Sequence, residues 1–576
     1  MSHTLREPIS VDLRNTFSSH SDVLAQLLHA RGFADIESAE RFLSPDFDRD
    51  IHDPFLLKDC DKAVTRIISA IENNERIAIY ADYDADGIPG AALFHEFFLK
   101  IGYTDFVIYI PHRHDEGFGL NSNAVNELAA DNVQLIITVD CGISDAEPVS
   151  VANLLGIDVI ITDHHEAPDV LPAAYAVIDH RQKDCAYPDK NICGTGVGFK
   201  LIQAILKKNR FGMKEGHEKW FLDLVGIATL SDMVPLTGEN RVFAYYGLQV
   251  LRKSPRLGLR RLLDSLKMSQ AHLSEDDISF MITPRINAAS RMGVPRDAFE
   301  LLIASDNESA MKGVAHLEHI NSERKGIVAS LVKEIKKTVE TRFGKNIPAV
   351  IVLGNPEWRP SLLGLVANSL AEQYMRPVFL WGRDGGDILK GSTRSEGKTS
   401  VVDLMKGVPA GIFMQFGGHK FSGGFALIQA EVHKLEKALN ESARQLETES
   451  PSGIAETDLK KYVDLELRLE DVTWDMQKEI ARMGPFGIGN PKPQFIFRNV
   501  IPSSVRVFGK TRDHVEIKFD RTDGPKVSAI AFFSATHPWV KEAGSGMPID
   551  LIASLEKSVY RGKVELRLRV VDVILK

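Results

Sequence analysis

The sequence predicts a multidomain α/β protein: a parallel-sheet domain, a long connecting helix, a second α/β segment and an all-β region toward the C-terminal end. Three observations carry this. Between residues 76 and 165, short apolar runs alternate with helical patterns of about 10–15 residues, the signature of βαβ units. A helical pattern with few breakers runs from about Asp297 to Arg342. Beyond residue 449 the periodicity changes to two, as in HVEIKFD (His514 to Asp520) and KVELRLRVVDVI (Lys563 to Ile574). At 576 residues the chain also exceeds what one hydrophobic core fills.

Taken in order, RIAIYAD reads as a strand, AALFHEFFLKIG as a helix and DFVIYIP as a strand. NSNAVNELAADN then reads as a helix, QLIITVD as a strand, SDAEPVSVANLLG as a helix and DVIITDHH as a strand. Apolar strands with helices between them bury both faces, so the sheet is parallel. Residues 199–270 read as helical through FKLIQAILKKN, WFLDLVGIATLSDM and RVFAYYGLQVLRKS. PAVIVLG and RPVFLWG form strands of a second α/β segment around SLLGLVANSLAEQY. The linker-like ETESPSGIAETD leads into short strands that fit a small barrel, such as the oligonucleotide-binding type, or a sandwich; periodicity does not choose.

Composition sets the outer limits. Hydrophobic residues make up 44% and charged residues 26%, ordinary for a globular chain. No apolar run approaches the roughly 20 residues of a membrane span. The start, MSHTLREPIS, lacks a signal-peptide layout, so a cytoplasmic protein without a membrane anchor is expected. Four cysteines (Cys60, Cys141, Cys185, Cys193) form no CxxC pair and suit a reducing compartment. A net charge of −9 does not advertise nucleic-acid binding, although Lys200 to Arg210 and Leu251 to Arg261 are locally basic. Either stretch reads equally well as a solvated helix face.

The stretch YADYDADGIPG places Asp82, Asp84 and Asp86 at alternate positions directly after a strand. Asp140 ends a second strand, and Asp163, His164 and His165 end a third. In an open parallel sheet the carboxyl ends of the strands line one crevice. Carboxylates crowded there without bases are destabilising unless cations neutralise them. Carboxylate with imidazole, and no thiolate, is the ligand mix for Mn²⁺ or Mg²⁺. A calcium loop is the alternative for the DxDxDG spacing of Asp82 to Gly87, but its twelfth position would need Glu and holds Leu93. A lone Asp at a strand end is otherwise a helix cap, and a lone His pair a polar turn.

YADYDADG, TVDCGIS, TDHHE and ATLSDMVPLTGENR resemble the four successive motifs of the DHH phosphoesterase superfamily. PHRHDEGFGLN, NICGTGVGFKL, TPRINAASRMG, HLEHINSERK, GSTRS, FGGHKFSGG and GPFGIGNPKP resemble its RecJ branch, the single-strand-specific 5′→3′ exonucleases. The resemblance implies five units. These are an N-terminal helical segment (1–50), a DHH catalytic domain (51–296), a connecting helix (297–344), a DHH-associated substrate-binding domain (345–448) and an OB-like nucleic-acid-binding domain (449–576).

It further implies two divalent cations held by Asp82, Asp84, Asp86, Asp140, His164 and Asp232, with Asp140 bridging and Asp163 orienting the imidazole beside it. His165, Arg285 and Arg291 would face the scissile phosphate. Arg113, Glu116 and Asn287 would line the crevice, and Ser392, Arg394, Gly417, Gly418 and His419 would hold the substrate end. The partner implied is single-stranded DNA, supplied by a helicase or a single-strand-binding protein to a monomeric repair and recombination enzyme. The chain departs from the pattern at Pro89, where Thr or Ser is usual, at Ser290 for glycine, and at Arg359 for histidine. The competing readings are a phosphodiesterase for short oligonucleotides and a non-catalytic replication scaffold.

Overall fold

The computed structural model describes residues 3–383, 388–396, 399–449, 461–522, 524–544, 546–560 and 563–575; most of the linker-like ETESPSGIAETD lies outside these. The first sheet has five parallel strands in the spatial order Phe106–Tyr109, Ile77–Ala81, Leu135–Val139, Asp158–Thr162 and Ala176–Ile178. Ile77 pairs with Phe106 on one side and Leu135 on the other. The chain therefore steps outward from the first strand and then returns to its opposite side. Ligand crevices in open α/β sheets form at such a reversal, outside the carboxyl ends of the strands. Asp82 and Asp140 follow the two strands that flank it.

The two central strands, IAIYA and LIITV, are buried at every position, which is why they read as continuous apolar runs. Helices Cys60–Glu72, Gly87–Lys100 and Gly194–Lys208 cover one face, packing Ile67, Phe94, Phe97, Phe199 and Ile205 on Ile79 and Ile137. Ser122–Ala130 and Ala146–Leu154 cover the other face through Val125, Leu128 and Val149.

The connecting segment is two helices rather than one, Arg296–Ile303 and Asn307–Phe343. Asp306 restarts the helix: it is extended, and its carboxylate accepts a hydrogen bond from Ser309 N at 2.9 Å, as an N-cap does. Leu331, Ile335 and Val339 on the long helix then join Leu363, Val366 and Leu370 of helix Pro360–Tyr374 against a second sheet. That sheet runs Phe413–His419, Ser422–Leu427, Leu389–Arg394, Val378–Arg383 and Ile351–Gly354. Val401–Lys406 and Leu435–Glu449 close its opposite face.

A seven-stranded mixed sheet makes up the C-terminal region. Its inward residues, among them Phe495, Ile517, Leu551 and Leu568, share one core with Phe17, Leu24, Leu27 and Leu28. The N-terminal helices thus cover the C-terminal sheet, and His3–Leu5 pairs in parallel with Lys461–Val463. No helix of the described residues is long and apolar enough to cross a membrane. The four cysteines are free and buried.

Candidate metal centre and substrate cleft

Side chains from four elements converge at the carboxyl ends of the central strands. His164 Nε2 lies 3.1 Å from Asp140 Oδ1, 3.8 Å from Asp86 Oδ2 and 3.8 Å from Asp232 Oδ2. Three overlapping sets of ligand atoms each fall within 4.8 Å of one another: Asp82, Asp84 and Asp140; Asp86, His164 and Asp232; and Asp140, His164 and His165. The six residues named as ligands are therefore together. Asp232, at the end of helix Leu222–Ser231, comes from outside the sheet.

The backbone is bent to bring this about. Asp140 (φ 64°) and Met233 (φ 62°), beside Asp232, occupy the left-handed region, which non-glycine residues enter at a cost of about 1–3 kcal/mol. The N-terminus of helix Gly194–Lys208 meets Asp86, whose carboxylate accepts hydrogen bonds from Gly194 N at 2.6 Å and Thr195 N at 2.8 Å. A Cβ on Gly194 would stand 2.5 Å from Asp140 Cβ, and one on Gly87 would stand 2.2 Å from Asp82 O. Gly194 and Thr195 thus shape the centre, and sequence reasoning passed them over within the NICGTGVGFKL motif. The close packing of strand ends was the missing signal.

The electrostatics are those of a site short of positive charge. Burial, then the charge of Asp84, holds the Asp82 carboxyl well above its ordinary pKa. Burial and the surrounding aspartates do the same to Asp140 and Asp232, and Asp86 is pushed up to about 6. Asp82 Oδ1, Asp140 Oδ1 and His164 Nδ1 are buried without a hydrogen-bond partner. Burial and the neighbouring His165 press His164 down to about 3, so its imidazole is neutral.

His165 has the opposite character. Burial alone would lower it, but the 2.7 Å hydrogen bond between its Nδ1 and Asp163, reinforced by the charges of Asp163, Asp232 and Asp82, raises it to about 9. Asp163 is fixed in turn by Ile143 N at 3.0 Å and His164 N at 2.7 Å. The outer edge of His165 meets Phe118 of the 111–121 loop, ring centres 5.5 Å apart.

The remaining candidates divide. Arg113 lies over the Tyr83 ring at 4.8 Å, at the edge of the cluster. Glu116 faces its own loop, accepting from Tyr109 Oη at 2.7 Å and His112 N at 2.5 Å. Asn287 Oδ1 accepts from Ala85 N at 3.0 Å and so secures the aspartate loop from behind. Arg285 is engaged elsewhere: its Nε and Nη2 pair with Glu318 on the long helix, and its Nη1 donates to Met281 O at 2.6 Å. All three of its guanidinium nitrogens thus have partners within the protein. The salt bridge to Glu318 spans 33 residues, and no local motif announces it.

Arg291 faces the second domain, donating to Ser361 O at 3.1 Å while Ser361 Oγ donates to Arg291 O at 3.1 Å. Burial, then the charges of Arg113, Arg324 and Arg394, lowers Arg291 to about 9. Arg324, within HLEHINSERK, belongs to this cationic group and was not singled out from sequence. A Cβ on Gly364 would lie 3.1 Å from Arg394 Nη2 and 3.6 Å from Ser392 Oγ, which puts both residues at the start of helix Pro360–Tyr374. Across the sheet, Ser422 pairs with Arg394 on one side and His419 on the other, and Gly424 with Ser392 and Gly417. Gly418 (φ 143°) sits against Ser422 O, where a Cβ would approach to 2.3 Å.

The three departures lie in separate elements. Pro89 is buried in the first turn of Gly87–Lys100, where the missing N–H costs nothing. Ser290 Oγ donates to Asn287 O at 3.2 Å, and Arg359 is exposed at the N-cap of Pro360–Tyr374.

Comparison with known proteins agrees with this geometry. Residues 76–229 match the DHH family N-terminal domain, 346–448 the DHHA1 domain and 463–572 the RecJ OB domain. The single-stranded-DNA-specific exonuclease RecJ of Haemophilus influenzae is 30% identical over 97% of this chain and 97% of its own. That of Bacillus subtilis is 35% identical over 88% of this chain, which spans 63% of the relative. The crystal structure of Thermus thermophilus RecJ in complex with Mn²⁺ superposes with a TM-score of 0.81 at 24% identity, covering 100% of this chain and 79% of that one. A crystal structure of exonuclease RecJ bound to manganese gives 0.58 at 30% identity, covering 67% of this chain and 95% of that one. With three family domains in order and relatives matched end to end, the chain belongs to the RecJ family of DHH phosphoesterases.

Proposed function

We propose that the chain is a metal-dependent exonuclease that hydrolyses single-stranded DNA from its 5′ end to mononucleotides. The observation that carries the reading is the cluster of buried carboxylates around a neutral His164, with oxygen and nitrogen atoms left without partners. Those donors fit divalent cations, Mn²⁺ or Mg²⁺, which Asp82, Asp84, Asp86, Asp140, His164 and Asp232 would hold, Asp140 being shared between the overlapping donor sets. Bound there, the cations supply the charge that activates a water and stabilises the entering and departing oxygens of an in-line displacement.

The chain's own residues do the rest. Asp163 fixes the His165 ring through Nδ1, leaving Nε2 as a protonated donor for a phosphate oxygen. Arg291, with Arg113 and Arg324 beside it, forms a cationic wall that an anion relieves. Ser392, Arg394 and His419, around the start of helix Pro360–Tyr374 and the open backbone at Gly417 and Gly418, bind the substrate's terminal phosphate. That phosphate, held at a fixed step from the metal cluster, makes cleavage end-dependent. Glu116 and Asn287 shape the loops around the strand rather than touch it.

Labour divides accordingly among the catalytic domain (51–296), the substrate-binding domain (345–448) and the OB-like domain (449–576), which tracks the strand. By resemblance, the enzyme acts as a monomer in the cytoplasm during repair and recombination, on strands delivered by a helicase or single-strand-binding protein. The test is digestion of 5′-labelled and 3′-labelled single strands with Mn²⁺. Release of the 5′ label as mononucleotide with progressive shortening of the 3′-labelled strand is expected. Intact long DNA with consumption of only di- to pentanucleotides would overturn it.

A further inference from the structure

Asp232 reaches the cluster from the end of a helix, and the turn that follows it, residues 233–237, is clasped by a distant part of the chain. Leu236 N donates to Ile488 O at 2.7 Å. A Cβ on Gly487 would lie 2.8 Å from Leu236 Cδ1, and one on Gly489 (φ 75°) 3.2 Å from Pro235 Cβ, so the GPFGIGNP loop lies directly on the turn. On its other side Val234 is buried against Cys193 and Ala228. Asn240 Nδ2 holds Pro235 O at 3.1 Å.

The loop itself is riveted. Asn490, 1% exposed, donates to Met483 O at 2.8 Å and Pro485 O at 2.9 Å. Asn490 Oδ1 accepts from Arg31 Nε at 2.9 Å, while Arg31 Nη2 donates to Pro491 O at 2.7 Å. Arg241, 4% exposed, follows the clasped turn on helix Gly238–Leu251. It donates to Gly484 O at 2.9 Å and to Phe42 O at 2.9 Å, and its guanidinium lies 3.7 Å over the Phe42 ring. Arg241 thus joins the N-terminal segment, the catalytic domain and the entrance to the C-terminal sheet at one point. Among the described residues no acid is paired with it; its partners are backbone carbonyls and an aromatic face.

We propose that the 484–491 loop, pinned by Arg241, Asn490 and Arg31, is a positioning element for Asp232, so that docking of the C-terminal sheet sets the affinity of the metal centre. It rests on the reading of Asp232 as an ion ligand. Removing a pin frees the loop, the 233–237 turn relaxes, and Asp232 loses its fixed place, although no pin touches the ion. Outer partners of metal ligands are worth about 10–100-fold in affinity.

The experiment is a Mn²⁺ titration by calorimetry on the full chain, with thermal unfolding in metal-free buffer alongside. Arg241→Ala, Asn490→Ala and the more peripheral Arg31→Ala are compared with Asp232→Asn and with Ile517→Ala, a core change in the same sheet. The expected result is about tenfold weaker Mn²⁺ binding in Asn490→Ala and Arg241→Ala. A smaller loss is expected in Arg31→Ala, and wild-type binding in Ile517→Ala despite its lowered Tm. Wild-type binding in all three pin variants, with Asp232→Asn weakened, overturns the inference and leaves the Asp232 reading intact. Equal weakening in Ile517→Ala overturns it as general destabilisation. Wild-type binding in Asp232→Asn removes the ligand reading itself and the inference with it.

Discussion

Gly194→Ala tests how closely the metal centre is built. The added Cβ would stand 2.5 Å from both Asp140 Cβ and Oδ1 and 2.8 Å from Asp140 Cα, where ordinary contact begins at 3.4 Å. An opening of about 1 Å is therefore forced between the helix start and the strand end. The neighbour cannot yield freely, because Asp140 is held in a left-handed conformation with its N–H bonded to Thr162 O at 3.0 Å. The same shift withdraws Gly194 N from Asp86. Displacement of about 1 Å in a catalytic constellation costs on the order of 10²-fold in rate. Overpacking costs about 1–3 kcal/mol of stability. The assay is the rate of mononucleotide release from 5′-labelled single strands at saturating Mn²⁺, with the Mn²⁺ isotherm and Tm measured on the same preparation. Gly326→Ala is the control: it lies on the long helix where a Cβ meets nothing, and Ala there gains about 1 kcal/mol of helix propensity. A Gly194→Ala enzyme with the wild-type rate and isotherm would refute the reasoning.

Other outcomes follow from the same geometry. Arg285→Gln removes the partner of Glu318 and is expected to lower stability by about 2 kcal/mol in denaturant unfolding while sparing turnover of the folded fraction; a lost turnover with unchanged stability would return Arg285 to the phosphate. Arg394→Ala is expected to abolish the preference for 5′-phosphorylated over 5′-hydroxyl strands, read from competition between the two ends, because its guanidinium crowns the start of helix Pro360–Tyr374. The metal-free protein should lose Tm as pH rises from about 6.5 to 9. Here the folded pKa of His165, raised to about 9, exceeds its unfolded value, so the folded state binds the extra proton and its stabilisation vanishes through that window. Asp86, raised to about 6, acts in the same direction at lower pH, against His164, which is depressed to about 3. Saturating Mn²⁺ should flatten the decline; a Tm that rises across the window without metal would contradict the assignment.

The parallel sheet and its functional edge were legible because burial on both faces leaves an unmistakable pattern. IAIYA, LIITV and DVIIT are apolar runs ended by acids, and a parallel register puts those ends side by side. Asp232 was legible only through family resemblance, since ATLSDMVPL reads as a helix end and no local signal points it at the sheet. The salt bridge of Arg285 was hidden for the complementary reason: its partner, Glu318, stands on another helix, and charge pairing across 33 residues leaves no trace in a short motif. The break at Ala304–Asp306 hid because an Asp followed three residues on by Ser is common inside amphipathic surfaces as well as at caps. The shared core of the first and last segments could not be seen at all, because Leu24, Leu27 and Leu28 announce an apolar helix face without naming the sheet that covers it.

The central claim is that the buried aspartates are held together by divalent ions, with Asp140 between them. The most direct measurement is the number of Mn²⁺ ions bound per chain by the wild-type protein and by Asp140→Asn, from calorimetry on metal-stripped samples. The account predicts two ions for the wild type and a loss of at least one in the variant, together with loss of exonuclease activity. Two ions bound with unchanged affinity by Asp140→Asn would contradict it.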